Sequence, residues 1–267
     1  MSEFKVDIGI GLGSVADGSH LRQAPVLDEL GFSSLWIAGG QLDRLDRVDE
    51  LLGVTRTARI ATGIIPLGHY SAADVLALVA RTATERFVLG LSGPQSAHPV
   101  SGLLPHLDEL DAGGVGPQRR LLAALGPRKL ELARDRAAGA ITLLTTAAHT
   151  AQARAVLGPD RRLVVHQFVV DDEDAASARD AARPTIGFLA GVGGYRANLQ
   201  REGMSTSDID SLSDRLVDAV VAHGGRAAVA ERVAAHAAAG ADEVVLGVLT
   251  GAGQPELVAT ARRWVAA

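Results

Sequence analysis

The stretch LLAALGPRKLELARDRAAGAITLLTTAAHTAQARAVLGP, residues 121–159, decides the fold. It divides into two repeats of one kind: apolar run, turn, helical pattern. Leu121 to Leu125 is a short apolar run that Gly126-Pro127 stops. Pro127 suits a first helical turn, because its missing N–H would have no partner there in any case. Leu130, Ala133 and Ala137 then recur at helical spacing, and Gly139 closes that helix. Ala140 to Leu144 is the next apolar run. Thr145-Thr146 stands where the second helix must begin, and a side-chain hydroxyl there caps free backbone donors. Ala148, Ala151 and Ala155 carry that helix to Gly158-Pro159. Two successive βα units with short turns predict a parallel sheet whose chemistry sits in the turns.

The same alternation extends in both directions. Before the block, Lys5 to Leu12, Ser33 to Ala38, Arg59 to Ile65 and Arg86 to Ser92 read as strands. Helical patterns follow each of the first three, through Leu21 to Leu30, Val48 to Leu52 and Ala72 to Ala83. Gln95 to Gln118 is rich in Gly and Pro, with a short helix around Leu103 to Leu110. After the block, Arg161 to Val170 is a seventh strand. A helical excursion begins at Asp171 to Asp174, contains Gly191 to Gly194 as a loop, and has its clearest helix at Ile209, Leu212, Leu216 and Val220. Ser207 and Asp210 are placed as its capping box. Val229, Val233 and Ala237 form another helix, Asp242 to Leu249 an eighth strand, and Leu257 to Val265 the last helix. Near-continuous apolar strands indicate burial on both faces. Eight strands alternating with helices over 267 residues predict an α/β fold, a (β/α)8 TIM barrel. No linker divides residues 1–267, so a single domain is expected, with insertions after strands 4 and 7. An open doubly wound sheet is the competing architecture and would use fewer strands.

Composition narrows the function. With 47% apolar residues and only 3% aromatic, the core must be aliphatic. A net charge of −5 argues against a non-specific nucleic-acid binder, which needs a basic surface. The absence of cysteine removes disulfides, thiol nucleophiles and iron–sulfur clusters. Neither a signal peptide nor a membrane-length apolar run is read, so a cytoplasmic location is expected.

In a barrel the active site lies at the carboxyl ends of the strands. Those ends read Gly13-Ser14, Gly39-Gly40-Gln41, Pro66 to Tyr70, Ser92 to Gln95, Gly126 to Lys129, Thr145-Thr146, His166-Gln167 and Thr250-Gly251. They hold no carboxylate cluster and no His-x-His pair, so no metal site is expected. None ends in a lysine suited to Schiff-base chemistry. Small neutral residues dominate, which suits a large flat organic cofactor. Gly11-Leu12-Gly13-Ser14-Val15-Ala16 fits a dinucleotide fingerprint, but the acid expected about twenty residues on is missing. A plain βα turn is the simpler reading. The Thr145, Thr146, His149, Thr150 turn opens a helix whose N-terminus attracts an anion, and it reads equally as a phosphate grip or as plain capping. Arg128-Lys129 brings positive charge to the preceding helix start. His69, after the third strand, is either an acid that polarises a carbonyl or an exposed loop histidine. His166, within a strand, reads equally as a site residue or as a satisfied interior residue.

DELGFSSLWIAGG (28–40), ATGIIPL (61–67) and ERFVLGLS (85–92) resemble the luciferase-like monooxygenases. The block from Leu122 to Pro159, with GGYRANLQREGM (193–204) and DRLVDAVVAHGG (214–225), is similar to an actinobacterial subgroup of F420-dependent oxidoreductases. The resemblance spans nearly the whole chain in the same order. It implies a TIM barrel binding coenzyme F420 and moving a hydride to or from a small organic substrate or, alternatively, an FMN-dependent monooxygenase. It places the cofactor ring near Gly63, Ile64, Ser92 and Gly93, the ribityl portion near Ala124 and Gly126, and the phosphate at Thr145, Thr146, His149 and Thr150. Members of the family are often dimers. Many end the second strand in a polar pair such as Asp-His, where this chain has Gly39-Gly40. His69 or Tyr70 is then the candidate catalytic group, and a cofactor-binding protein without turnover is the alternative.

Overall fold

The computed structural model describes residues 6–12, 18–39, 42–94, 98–250 and 256–265. Ten strands follow along the chain: β1 (Asp7–Gly11), β2 (Ser34–Ala38), β3 (Arg59–Gly63), β4 (Ile65–Pro66), β5 (Phe87–Ser92), β6 (Arg120–Ala123), β7 (Gly139–Leu143), β8 (Arg162–Val170), β9 (Val221–His223) and β10 (Glu243–Val248). All the described pairings are parallel. The order β10-β1-β2-β3-β5-β6-β7-β8 returns to its start, because β8 pairs again with β10. That closure makes an eight-stranded barrel and rules out the open sheet. The two short strands β4 and β9 lie outside the ring, beside β5 and β8.

Around the barrel run α1 (Ser19–Glu29), α2 (Arg47–Val54), α3 (Ala72–Thr82), α4 (Leu104–Ala112), α5 (Pro127–Arg136), α6 (Ala147–Leu157), α7 (Ala175–Ala190), α8 (Gly193–Arg201), α9 (Thr206–Ser211), α10 (Asp214–Val220), α11 (Gly225–Ala238) and α12 (Leu257–Val265). The segment between β5 and β6 carries α4, and the longer one between β8 and β10 carries α7 to α11 with β9. Alternate strand residues serve two cores. Ile10, Leu35, Ile60, Val165 and Val244 point out beneath the helices. Trp36, Ala61, Leu121, Ile141, Val164 and Val245 fill the barrel itself.

The amino end of the barrel is closed by charge. Glu243 of β10 is fully buried and accepts from Trp36 Nε1 at 3.0 Å and from the Ser34 hydroxyl. Arg162 of β8 meets it at 2.5 Å and Arg59 of β3 at 3.5 Å, and Arg59 also holds Asp7 at 2.6 Å. One carboxylate thus ties β10 to β8, β2 and β3. A cavity of about 560 Å³, lined by Thr84, Gln118, Arg119 and Arg162 among others, opens at this same end.

A second buried network joins α6, β8, α10 and α11. Gln167 Nε2 donates to the Phe168 and Val220 carbonyls, so its Oε1 accepts from His236 Nε2, 2.9 Å away. The other ring nitrogen, Nδ1, then accepts from the Thr150 hydroxyl at 2.8 Å. Burial, reinforced by the Arg232 and His149 charges, lowers the His236 pKa from 6.5 to about 4. The unfolded chain takes up this proton near pH 6.5 while the folded chain refuses it. The stabilisation is therefore complete above 6.5 and is lost as pH falls through about 4. We expect a loss of about 3 kcal/mol from this group between pH 7 and 4. Urea denaturation across that range checks it, and His236→Gln should flatten the dependence.

Four local expectations are corrected. Gly139 does not close α5: that helix ends at Arg136, and the Ala138 N–H already donates to Arg120 O, so pairing with β6 claims the chain and Gly139 opens β7. The Ile209 to Val220 pattern is two helices, not one. Leu212 adopts a left-handed φ of 49°, and Ser213 caps the second helix through Leu216 N. The capping box is Ser205 with Asp208, whose pKa falls to about 2 under hydrogen bonds from Ser205 and Ser213. Gly193 and Gly194, expected in a loop, open α8, because Val192 O accepts from Tyr195 and Arg196.

Candidate functional site

The carboxyl mouth of the barrel differs in kind from its filled middle. At this level the inward positions are Gly11, Ala38, Gly63, Ser92, Ala123, Leu143, Phe168 and Gly247, one from each barrel strand, and none is fully buried. Six of these eight are no larger than serine. Side chains that small cannot meet across a barrel, so they leave a concave bowl. One wall is apolar. Leu143, Phe168, Leu249 and, from α8, Tyr195 are half-buried against the cluster formed by the inserted helices. Phe168 lies over Gly247, its Cδ1 2.9 Å from where a Cβ would stand.

His166 of β8 lies at the floor of this bowl. Its ring meets Trp36 edge-on, with centroids 4.7 Å apart and planes at 87°. A Cβ on Gly63 would come within 3.1 Å of His166 Cε1 and 3.2 Å of Trp36 Cε3, so Gly63 leaves the imidazole its place. Burial lowers the His166 pKa from 6.5 to about 4, so the ring is neutral at physiological pH.

The residues that the resemblance assigns to a cofactor ring lie on adjacent strands, with different exposures. Gly63, Ile64 and Ser92 are half-buried at the ends of β3 and β5. Gly93 is buried under Leu103, which stands 3.2 Å from its would-be Cβ. Ala124 is buried in the core between barrel and helices, and Ala123 is the β6 residue that turns to the bowl. Gly126 lies against the Arg201 guanidinium. Gly13, Ser14, Gly40, Gln41, Gln95 and Gly251, with most of the apparent dinucleotide fingerprint, lie outside the described residues.

Gly39 has a steric reason to be glycine. A Cβ there would stand 2.4 Å from Ile64 O and 2.8 Å from Ile64 N, both backbone atoms. No side chain fits while the β3–β4 link takes this path. His69 is exposed, with its ring edge-on to Tyr70 at 4.8 Å. Tyr70 donates its hydroxyl to Leu42 O at 2.9 Å, which ties the loop after β4 to the loop after β2. Burial also raises the phenol pKa, so this hydroxyl keeps its proton.

At the start of α6, Thr146 is the N-cap and its hydroxyl accepts from His149 N. The anion at this helix start is the chain's own. Glu202, just after α8, accepts from Thr146 N at 2.9 Å and from Thr146 Oγ1 at 2.6 Å. Asn198 Nδ2 holds its other oxygen. Thr150 belongs to the His236 network, His149 Nε2 bonds Leu125 O at 2.9 Å, and Thr145 Oγ1 is buried without a partner. Arg128, Lys129 and Arg201 make no ion pair among the described residues, and burial lowers the Lys129 pKa.

Ala123 and Glu202 are among the site residues that sequence reasoning missed. Ala123 was recoverable from strand alternation once Leu121 is known to point inward. Glu202 carried no signal, because 56 residues separate it from the helix it caps.

No family model matches the sequence, and no curated protein matches it. Solved structures do match its shape. The coenzyme F420-dependent tetrahydromethanopterin reductase of Methanopyrus kandleri superposes with a TM-score of 0.74 at 14% identity, over 98% of this chain and 97% of that one. The likeness is one of fold. An F420-dependent secondary alcohol dehydrogenase, solved with an F420–acetone adduct, gives 0.70 at 13% identity, over 92% and 94%. The oxygenating constituent of 3,6-diketocamphane monooxygenase from Pseudomonas putida, in complex with FMN, gives 0.67 at 11% identity, over 98% and 96%. No described helix is long and apolar enough to cross a membrane.

Proposed function

We propose that this chain is an oxidoreductase that seats a deazaflavin or flavin ring in the carboxyl mouth, coenzyme F420 first and FMN second, and acts on a small organic substrate. The observation that carries the reading is the ring of small inward residues at the mouth. The resemblance of residues 122–159 to F420-dependent oxidoreductases and the shared fold with F420 and FMN enzymes support it.

The ring portion of such a cofactor fits. Gly63, Ile64, Ser92 and Ala123 would line one side, and Phe168 and Leu143 the other, where apolar burial stabilises a flat heteroaromatic. The phosphate portion meets an obstacle. Thr146 would grip a phosphate only with Glu202 displaced, since two anions would otherwise share one helix start. Arg128, Lys129 and Arg201 near Gly126 are the cations available to an acidic tail, and they favour the more highly charged F420. When bound, the deazaflavin supplies the hydride itself. The chain's task is to orient the ring, shield it from water and present the substrate. Tyr70 has its proton committed to Leu42 O, which leaves exposed His69 as the loop candidate for proton transfer.

Fluorescence titration of the purified protein with F420 and with FMN tests this reading. F420 binding without FMN binding supports the first assignment, the reverse supports the second, and binding of neither ring removes both. A binder without turnover is the second-class reading, favoured by Gly39, where no side chain fits. It gains if F420 binds yet no carbonyl, imine or enone oxidises its reduced form. Glu202→Gln addresses the tail: FMN affinity should rise roughly 3- to 10-fold, while phosphate-free riboflavin should bind unchanged. Equal effects on both would place the phosphate elsewhere.

A further inference from the structure

Three histidine rings in and beside the barrel differ in one respect. His236 has partners on both ring nitrogens, and His149 Nε2 bonds the Leu125 carbonyl. The His166 ring makes no hydrogen bond among the described residues, and its Nε2 is buried. The site is apolar: Trp36 stands edge-on to the ring and Gly63 lies beneath it. Nothing in a packing role calls for a nitrogen here, since a phenyl ring would fill the same space and leave no polar atom unpaired. The residue as a whole is half-buried, between inward Val164 of the filled layer and inward Phe168 of the mouth. Its Cε1 and Nε2 lie 3.1 and 3.5 Å from where a Cβ of Gly63 would stand, so this edge of the ring faces the mouth level of β3.

We propose that His166 is a ligand-binding residue, which hydrogen-bonds from the barrel floor to the polar edge of the heteroaromatic ring seated in the mouth. This rests on the proposed ring seat and adds a contact that fixes the ring's depth and rotation. A neutral imidazole offers one donor and one acceptor, so it matches a ring edge that alternates carbonyl and N–H groups. The apolar surroundings strengthen that bond, because no water competes for the nitrogen once the ring covers it. Neighbouring Gly63 and Ala123 present no polar side chain, and Ser92 lies at the rim, so His166 is the group that orients the ring from the floor.

His166→Phe keeps the volume and the edge-on contact with Trp36. It should leave thermal stability unchanged or raised and weaken binding of the ring that binds wild type, F420 or FMN, by about 10- to 100-fold. His166→Gln, which restores a donor and an acceptor, should recover part of that loss. In wild-type protein labelled with ¹⁵N-histidine, the His166 ring nitrogens, assigned by their absence from either variant, should shift on adding that ring. An affinity for His166→Phe within twofold of wild type, or ring nitrogens that do not move at saturation, overturns the inference and leaves the ring seat standing. Failure of wild type to bind either ring removes the seat, and this inference with it.

Discussion

Arg162→Met should destabilise the barrel by about 3–5 kcal/mol, because it strips the closest cation from a carboxylate that is fully buried. Glu243 would keep Ser34, Trp36 and, at 3.5 Å, Arg59, none of which replaces the 2.5 Å contact to Arg162. The sharper form of the prediction is a double variant. Arg162→Met with Glu243→Leu removes both charges together, and an ion pair replaced by apolar groups of similar volume costs far less than one that is broken. The double variant should therefore be more stable than Arg162→Met alone, a coupling read directly from a thermodynamic cycle. Urea denaturation of the four proteins measures it. Additive effects would mean that the two side chains do not act as one unit in closing the barrel.

The second large effect concerns the mouth. Ala123→Trp fills the bowl from β6, and because Ala123 is half-buried at the rim the fold should tolerate it. A buried aromatic ring covers on the order of 200 Å². Losing half of that at about 25 cal/mol/Å² costs about 2.5 kcal/mol, close to a hundredfold in affinity. Binding of F420 or FMN should fall by about that factor while the melting temperature stays near wild type. Ala124→Ser, one residue on and facing the helices, should leave affinity unchanged. The reverse pattern would place the ring on the other face of β6.

The barrel was legible because its signals are local. Each buried strand is a short apolar run, each turn carries Gly, Pro or a hydroxyl, and all eight expected strands lie in the closed ring. What the sequence hid depends on pairing at a distance. The β6 pairing that takes Ala138 and Gly139 from α5, and the left-handed Leu212 that splits α9 from α10, involve contacts outside any periodic window. The site shows the same division. Small residues at the strand ends announced an open mouth. The helix start after β7 reads equally as an anion grip or as plain capping; Thr146 is the N-cap, and Glu202 from beyond α8 is the anion beside it. The sequence leaves His166 open between a site residue and a satisfied interior one, because its lack of partners is a three-dimensional fact.

The most direct measurement is a crystal structure of the protein soaked with coenzyme F420 and, separately, with FMN. Ring density in the carboxyl mouth, between Gly63 and Phe168 and above His166, is the predicted result. Density confined to the cavity at the amino end beside Thr84 and Arg119, or a mouth that stays free of both rings at saturating concentrations, would contradict the account.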